Sequence, residues 1–255
     1  MKVYTKSRTQ INFTSRFSMR MRKKKHGEER LDACREYIYT HEGAPLSDPA
    51  ATVFERPDSP VFLEIGAGKG GFAAGMCNLY PECSYFAMER VSDCVVLAAE
   101  RASEEVKGGN LRFIVDTADN LMKIFAPKTL DRVFLNFSDP WSKKGYAKRR
   151  LTHRRYLAVY FSLLKDGGIL RFKTDNVGLF DFTLEELEAV GLTPRIVTRD
   201  LHNSEYTEGN VVTEYEANFS SQGVSINMLE VVKPEGFSLE ISDDLIEGRR
   251  IYPRG

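Results

Sequence analysis

With 36 Lys and Arg set against 36 Asp and Glu, this 255-residue chain has no formal net charge, and 42% of its residues are hydrophobic. That suffices for one sizeable core, and no run approaches the roughly 18 consecutive apolar residues of a membrane span, so a soluble protein with one main domain is expected. The neutral total hides an asymmetry: residues 1–25 hold nine Lys or Arg and no acid, whereas the chain from Leu201 onward is acidic. A basic arm raises the local potential toward a polyanion such as nucleic acid; a solvated arm is the competing reading. Residues 1–18 have no apolar secretory region, and MRMRKKK reads as a natural start at Met19, which makes 1–18 an extension. Cys34, Cys77, Cys83 and Cys94 form no CxxC pair and no zinc spacing with His. They predict no metal and reduced thiols in a cytoplasmic protein.

Along the chain, GEERLDACREYIY spaces Leu31, Cys34 and Tyr37 as one face of a short helix. A linker with four prolines between residues 42 and 60 follows and is expected to run over the surface. From residue 61 apolar runs alternate with helical patterns: VFLEIG, GFAAGMCNLY, SYFAMER, SDCVVLAAERASEE, LRFIVD, RVFLNF. Continuous apolar strands in βαβ alternation predict an α/β fold, a mostly parallel sheet with helices on both faces. YLAVYFSLLKDGG predicts a helix ending at Gly167-Gly168, then ILRFKTDN a strand and LFDFTLEELEAVG a helix.

The first strand ends in LEIGAGKGGF, where Gly66, Gly68 and Gly71 match GxGxxG, and Glu89 closes the second strand. Glycines let the backbone turn tightly against a ligand, and an acid at that position accepts hydrogen bonds from ribose hydroxyls. Dehydrogenases, flavoproteins and methyltransferases all use this turn. Glu64 discriminates among them: a carboxylate beside the glycines repels a pyrophosphate but suits an ammonium or a sulfonium. S-adenosylmethionine carries both cations. The alternative pairs Glu64 with Lys69. After the third strand, Asp116 or Thr117 in VDTADNL is placed to read an adenine edge, with Asp119 as rival or as a helix cap.

NFSDPWSKKGYAKRRLTHRR sets one carboxylate, Asp139, at the mouth of the fourth strand, directly before seven Lys and Arg. An ionised Asp139 accepts hydrogen bonds, and guanine offers an N–H and an amino group side by side on its Watson–Crick edge. The run KKGYAKRR then holds phosphates and gives affinity without sequence information. Pro140 stops the strand, and Trp141 is either a stacking surface for a base or a lid aromatic.

LEIGAGKGGF, NFSDPWSKKGYAKRRLT, RFKTDN and VVTEYEANFSSQG, in this order and spacing, resemble the tRNA (guanine-N7)-methyltransferase family of the bacterial single-chain type, over about residues 19–232. The resemblance implies a Rossmann-like class I methyltransferase fold and transfer of a methyl group from S-adenosylmethionine to a guanine in the tRNA variable loop. It puts Glu64, Glu89, Asp116 and Asp139 on cofactor positions, Asp139 also being the catalytic one. It puts Lys143, Asp175 and the stretch Thr213, Glu214, Tyr215 and Glu216 on substrate positions. Ser142 departs from the family's usual Pro, and Gly145-Tyr146 from its frequent Arg-His. The expected organisation is a basic arm (1–25), a short helix and linker (26–60), a methyltransferase domain (61–232) and a tail (233–255). The expected partner is tRNA, with no membrane and no obligatory protein subunit, in a monomer or homodimer.

Guanine N7 bears a lone pair and no proton, so attack on a methyl carbon needs no general base. Orientation and a fixed negative charge near the purine supply the catalysis instead. Competing functions are an exocyclic-amine methyltransferase, whose sites carry two prolines after Asp or Asn, a nicotinamide dehydrogenase, and a noncatalytic RNA-binding protein.

Overall fold

A computed structural model of the protein describes residues 27–248; the basic arm 1–25 and the start at Met19 lie outside them. Leu31, Cys34 and Tyr37 are all buried, as their spacing predicts. They sit on two pieces, helix α1 (Gly27–Ala33) and a 3-10 turn (Arg35–Tyr37), because Cys34 leaves helical geometry at φ −108°, ψ 24°.

The proline-rich segment runs largely over the surface, as expected, but it also holds a short helix whose inner face is buried. Asp48 accepts a hydrogen bond from the Ala51 N–H (3.0 Å), and Pro49, whose missing N–H costs nothing at a helix start, opens α2 (Pro49–Phe54). Leu46, Ala50 and Phe54 then join the core.

The alternating region follows as β1 (Val61–Ile65), α3 (Gly71–Leu79), β2 (Ser84–Glu89), α4 (Ser92–Glu105), β3 (Leu111–Val115), α5 (Leu121–Ile124) and β4 (Leu130–Asn136). The remainder is α6 (Arg154–Leu163), β5 (Leu164–Thr174), α7 (Val177–Ala189), β6 (Ile196–Thr198), α8 (Glu214–Ser220), β7 (Asn227–Val232) and α9 (Asp243–Ile246). The strands form one sheet in the order β3-β2-β1-β4-β5-β7-β6, parallel through β5, with β7 antiparallel to both its neighbours. Strand order reverses between β1 and β4, the place where open α/β sheets leave a crevice at their carboxyl ends.

One correction concerns α6. It ends at Leu163 rather than at Gly167-Gly168, and Leu164 already pairs with Leu130 before the register shifts. Gly167, at φ 80°, turns inside the irregular stretch of β5, where a glycine fits a bulge rather than a helix end. The tail also packs, as far as it is described: Lys233 donates to the Leu164 carbonyl (2.8 Å), and Leu245 is buried.

Period-2 alternation divides the core. Val61, Leu63 and Ile65 face the layer built with α2, α5, α6 and α7, while Phe62, Tyr85 and Phe134 face that of α3 and α4. Glu64 shares the face of Phe62. Asn136 on β4 and its register partner Lys173 on β5 extend the same face, so three polar side chains cross the sheet where its apolar run stops.

Candidate active site

The turn after β1 holds Gly66, Gly68 and Gly70 at positive φ of 86°, 55° and 76°, a region open to glycine at little steric cost. The Gly66 and Ala67 N–H groups both donate to the Met88 carbonyl (2.8 and 3.0 Å), tying the turn to β2. A Cβ added at Gly66 or Gly68 meets nothing within 4 Å, so both glycines face open volume. At Gly70 it would come within 2.8 Å of Ala98 Cβ. Gly70, which the motif match passed over, is thus the glycine that lets α3 approach α4. Glu89 closes the turn from β2, its two oxygens accepting from the N–H groups of Gly68 (3.0 Å) and Val91 (2.9 Å).

Glu64 forms the floor. It is 2% exposed and accepts from Asn136 Nδ2 at 3.0 Å, with the Tyr85 hydroxyl at 3.5 Å; Lys69 is not its partner. Burial pushes its carboxyl up to about 7, against the opposing pull of the Asn136 hydrogen bond and the Lys173 charge. Asn136 Oδ1 is buried with no hydrogen-bond partner. A carboxylate and an orphaned carbonyl oxygen in one crevice make a matched set of acceptors for a cation, and the open space over Gly66 and Gly68 leaves room for the rest of such a ligand. The residues present therefore fit the ammonium and sulfonium of S-adenosylmethionine. Asn136 was absent from the sequence reading; its signal is a lone amide ending an apolar strand.

Farther along the sheet edge, Asp116 Oδ1 accepts from the Thr117 N–H (2.7 Å) and Asn120 Nδ2 (2.6 Å), so that backbone donor is already engaged. Asp119 caps no helix. It accepts from the Tyr156 hydroxyl at 2.7 Å and fastens this corner to α6.

Beyond β4 the chain bends sharply, with Phe137 at φ 50° and Trp141 at φ 40° flanking Ser138-Asp139-Pro140. Non-glycine residues held there are strained by about 1 kcal/mol or more each, and something must fix them. Arg150 holds the Trp141 end, donating to the carbonyls of Pro140 (2.9 Å) and Trp141 (3.2 Å), and the Phe137 N–H donates to the Lys173 carbonyl (2.9 Å). Asp139 stands 63% exposed with Arg90 Nη2 3.5 Å away, a pairing across the mouth of β1 that the sequence did not suggest. One face of Trp141 is taken by the Arg149 guanidinium, 5.1 Å from the ring centre.

Arg149 lies over the Trp141 and Tyr146 rings, and the other six basic residues divide into two groups. Arg154 grips Glu186 through two bonds (2.9 and 2.8 Å), Arg155 pairs with Asp244, and Arg150 clamps the loop. Lys143, Lys144 and Lys148 stand exposed on the 3-10 segment and its cap. The cations that KKGYAKRR offers to solvent are therefore mainly lysines.

The opposite wall comes from α8. Thr213 and Glu216 form a capping box: Thr213 Oγ1 accepts from the Glu216 N–H (2.9 Å), and Glu216 Oε2 from the Thr213 N–H (3.4 Å). Glu214 pairs with Arg101 of α4. Tyr215 is 45% exposed and stacks on Phe219, ring centres 4.3 Å apart; burial and the neighbouring Asp175 carboxylate push its hydroxyl up. Asn176, not Asp175, caps α7. Of the predicted residues, Glu64, Gly66, Gly68, Thr213, Glu214 and Tyr215 line one crevice. Glu89 bonds to its glycine turn, Asp139 and Lys143 lie outward on the basic loop, and Glu216 is wholly buried, away from any surface.

A family model described as "Putative methyltransferase" matches residues 58–229. A tRNA (guanine-N(7)-)-methyltransferase of Lachnoclostridium phytofermentans is 46% identical over 172 residues, covering 68% of this chain and 80% of that protein. The Bacillus subtilis protein of the same name is 37% identical, covering 84% of this chain and 98% of its own. Among solved structures, the 16S rRNA methyltransferase KamB superposes with a TM-score of 0.56 at 11% identity, over 77% of this chain and 98% of that one. An antibiotic-related methyltransferase gives 0.53 at 16% identity, over 75% and 96%. These two likenesses establish the fold alone: an open, mostly parallel Rossmann-like sheet. With relatives this similar along most of its length, the chain belongs to the tRNA (guanine-N(7)-)-methyltransferase family.

Proposed function

We propose that the protein transfers a methyl group from S-adenosylmethionine to N7 of a guanine in tRNA. Residues 61–232 serve as its catalytic domain, and it works in the cytoplasm as a monomer or homodimer without a partner subunit. The observation that carries the donor half is the acceptor pair of Glu64 and the unpartnered Asn136 Oδ1 beside two glycines that leave open space. The relatives named for this activity support the acceptor half.

When bound, S-adenosylmethionine supplies an electrophilic methyl on a sulfonium. Glu64 and Asn136 hold its ammonium, Gly66 and Gly68 admit it against the backbone, and Glu89 takes the ribose hydroxyls on its remaining lone pairs. Asp116, with Thr117 beside it, faces the adenine edge. On the RNA side, Lys143 and its neighbours hold phosphates while Asp139 accepts hydrogen bonds from the guanine edge. Asp175, Thr213, Glu214 and Tyr215 complete the wall around the base. No residue need remove a proton, because N7 has none; Asp139 contributes a fixed negative charge that favours the positive charge moving onto the purine.

Incubating purified single-chain protein with labelled donor and bulk tRNA, then digesting the RNA to nucleosides, tests this reading and the absence of an obligatory partner together. Label should appear in 7-methylguanosine. Label in another nucleoside, or none in tRNA, defeats it.

A further inference from the structure

The family resemblance puts Glu216 at the substrate, yet its surroundings give it another task. Neither its side chain nor that of Lys173 has any exposed surface. The Lys173 ammonium donates to Glu216 Oε2 (2.6 Å), Asn210 Oδ1 (3.0 Å) and the Val211 carbonyl (3.0 Å), which uses all three of its protons. Glu216 Oε1 accepts from Asn210 Nδ2 (2.8 Å) and lies 3.2 Å from His202 Nε2. With the capping box added, this network joins β5 to the short stretch 210–216. That stretch carries Thr213, Glu214 and Tyr215, which line the crevice facing the glycine turn. Val211 is wedged against Gly75, where a Cβ would come within 2.5 Å of its Cγ1, so the stretch has no slack on the helix side.

We propose that Lys173 and Glu216 are positioning residues: a buried counter-ion pair that fixes the crevice wall on the sheet, with Glu216 touching neither RNA nor donor. The inference deepens the tRNA reading and rests on it for what the wall contacts. A carboxylate already bonded on both oxygens reaches a base only by undoing the first turn of α8 and stranding an ammonium in the core.

Lys173→Met, Glu216→Gln and the double variant, each in the full chain, test it by tRNA methylation kinetics and by hydrogen exchange of residues 210–216. Each single variant should raise KM for tRNA about tenfold, within the coupling usual for contacting residues, and should lose amide protection across 210–216. The double variant removes both charges of the pair together and should recover both measures to within about threefold. Loss of activity in Glu216→Gln with full protection of 210–216 would overturn the proposal, as would a soluble double variant no more active than that single one. Exchange is read without tRNA, so it decides the positioning role even if the unaltered protein methylates no tRNA and even if the double variant does not fold.

Discussion

Replacing Glu64 with glutamine should exchange donor affinity for stability. The carboxyl is buried against Asn136 and Tyr85, and burial lifts it from 4.5 to about 7. The folded protein therefore holds this proton more tightly than the unfolded chain does. The associated stabilisation is fully present below 4.5 and is lost as pH rises through about 7. At 1.36 kcal/mol per unit, a rise from 4.5 to about 7 amounts to about 3 kcal/mol of burial penalty carried by the ionised form. Glutamine keeps the shape and removes the charge. The stability difference between Glu64→Gln and the unaltered protein, taken from urea midpoints without donor, should move by about 3 kcal/mol in the variant's favour between about pH 4.5 and pH 8. Calorimetry at pH 8 should show donor affinity falling by about thirtyfold or more, the usual loss when one partner of a buried charge pair is removed. A stability difference that stays flat across this range would refute the reasoning, because it would mean that the buried carboxyl titrates as it does in the unfolded chain.

Asp139→Ala should lower turnover by about a hundredfold or more while tRNA affinity stays nearly unchanged, since the lysines remain; near-normal turnover removes Asp139 from catalysis. Changing Lys143, Lys144 and Lys148 together to glutamine should weaken tRNA binding and flatten its dependence on log salt by about 2 to 3 in slope, and an unaltered slope excludes their phosphate role. Arg150→Ala releases the carbonyls of Pro140 and Trp141, so kcat should fall about tenfold with a shifted emission from Trp141, the sole tryptophan. Unchanged emission would show that the loop holds without its clamp. Gly70→Ala, with φ 76° and a Cβ 2.8 Å from Ala98, should lose about 2 kcal/mol or more of stability. Gly68→Ala has space around its Cβ and should lose donor binding more than stability; the reverse order would contradict the roles given to the two glycines.

The strands of the parallel half were legible because their apolar runs are continuous and each is closed by a turn signal. Glu64, Glu89 and Asp139 stand out in the sequence as lone acids at strand ends, and the structure puts Glu64 on the crevice floor, Glu89 on the glycine turn and Asp139 on the exposed loop beyond β4. Three things were not legible. The proline-rich segment hid α2, since its prolines sit at a cap boundary and in flanking turns, where they do not oppose a helix. The end of α6 was misread because glycines in a strand bulge look like glycines after a helix. Glu216 and Lys173 each look like surface charges in isolation, and only the packing of the stretch 210–216 against β5 reveals that they neutralise one another in the core. Likewise the basic run reads as uniform, whereas Glu186 and Asp244, distant in sequence, claim two of its arginines.

A tRNA transcript whose target guanine is replaced by 7-deazaguanine, with carbon in place of N7 and the Watson–Crick edge intact, addresses the central claim most directly. In single-turnover reactions it should bind as tightly as the unmodified transcript, because Asp139 and the lysines still find their partners, and should accept no methyl group. Methylation of that transcript at the normal rate would contradict the account, for the carbon would then be going to some other atom.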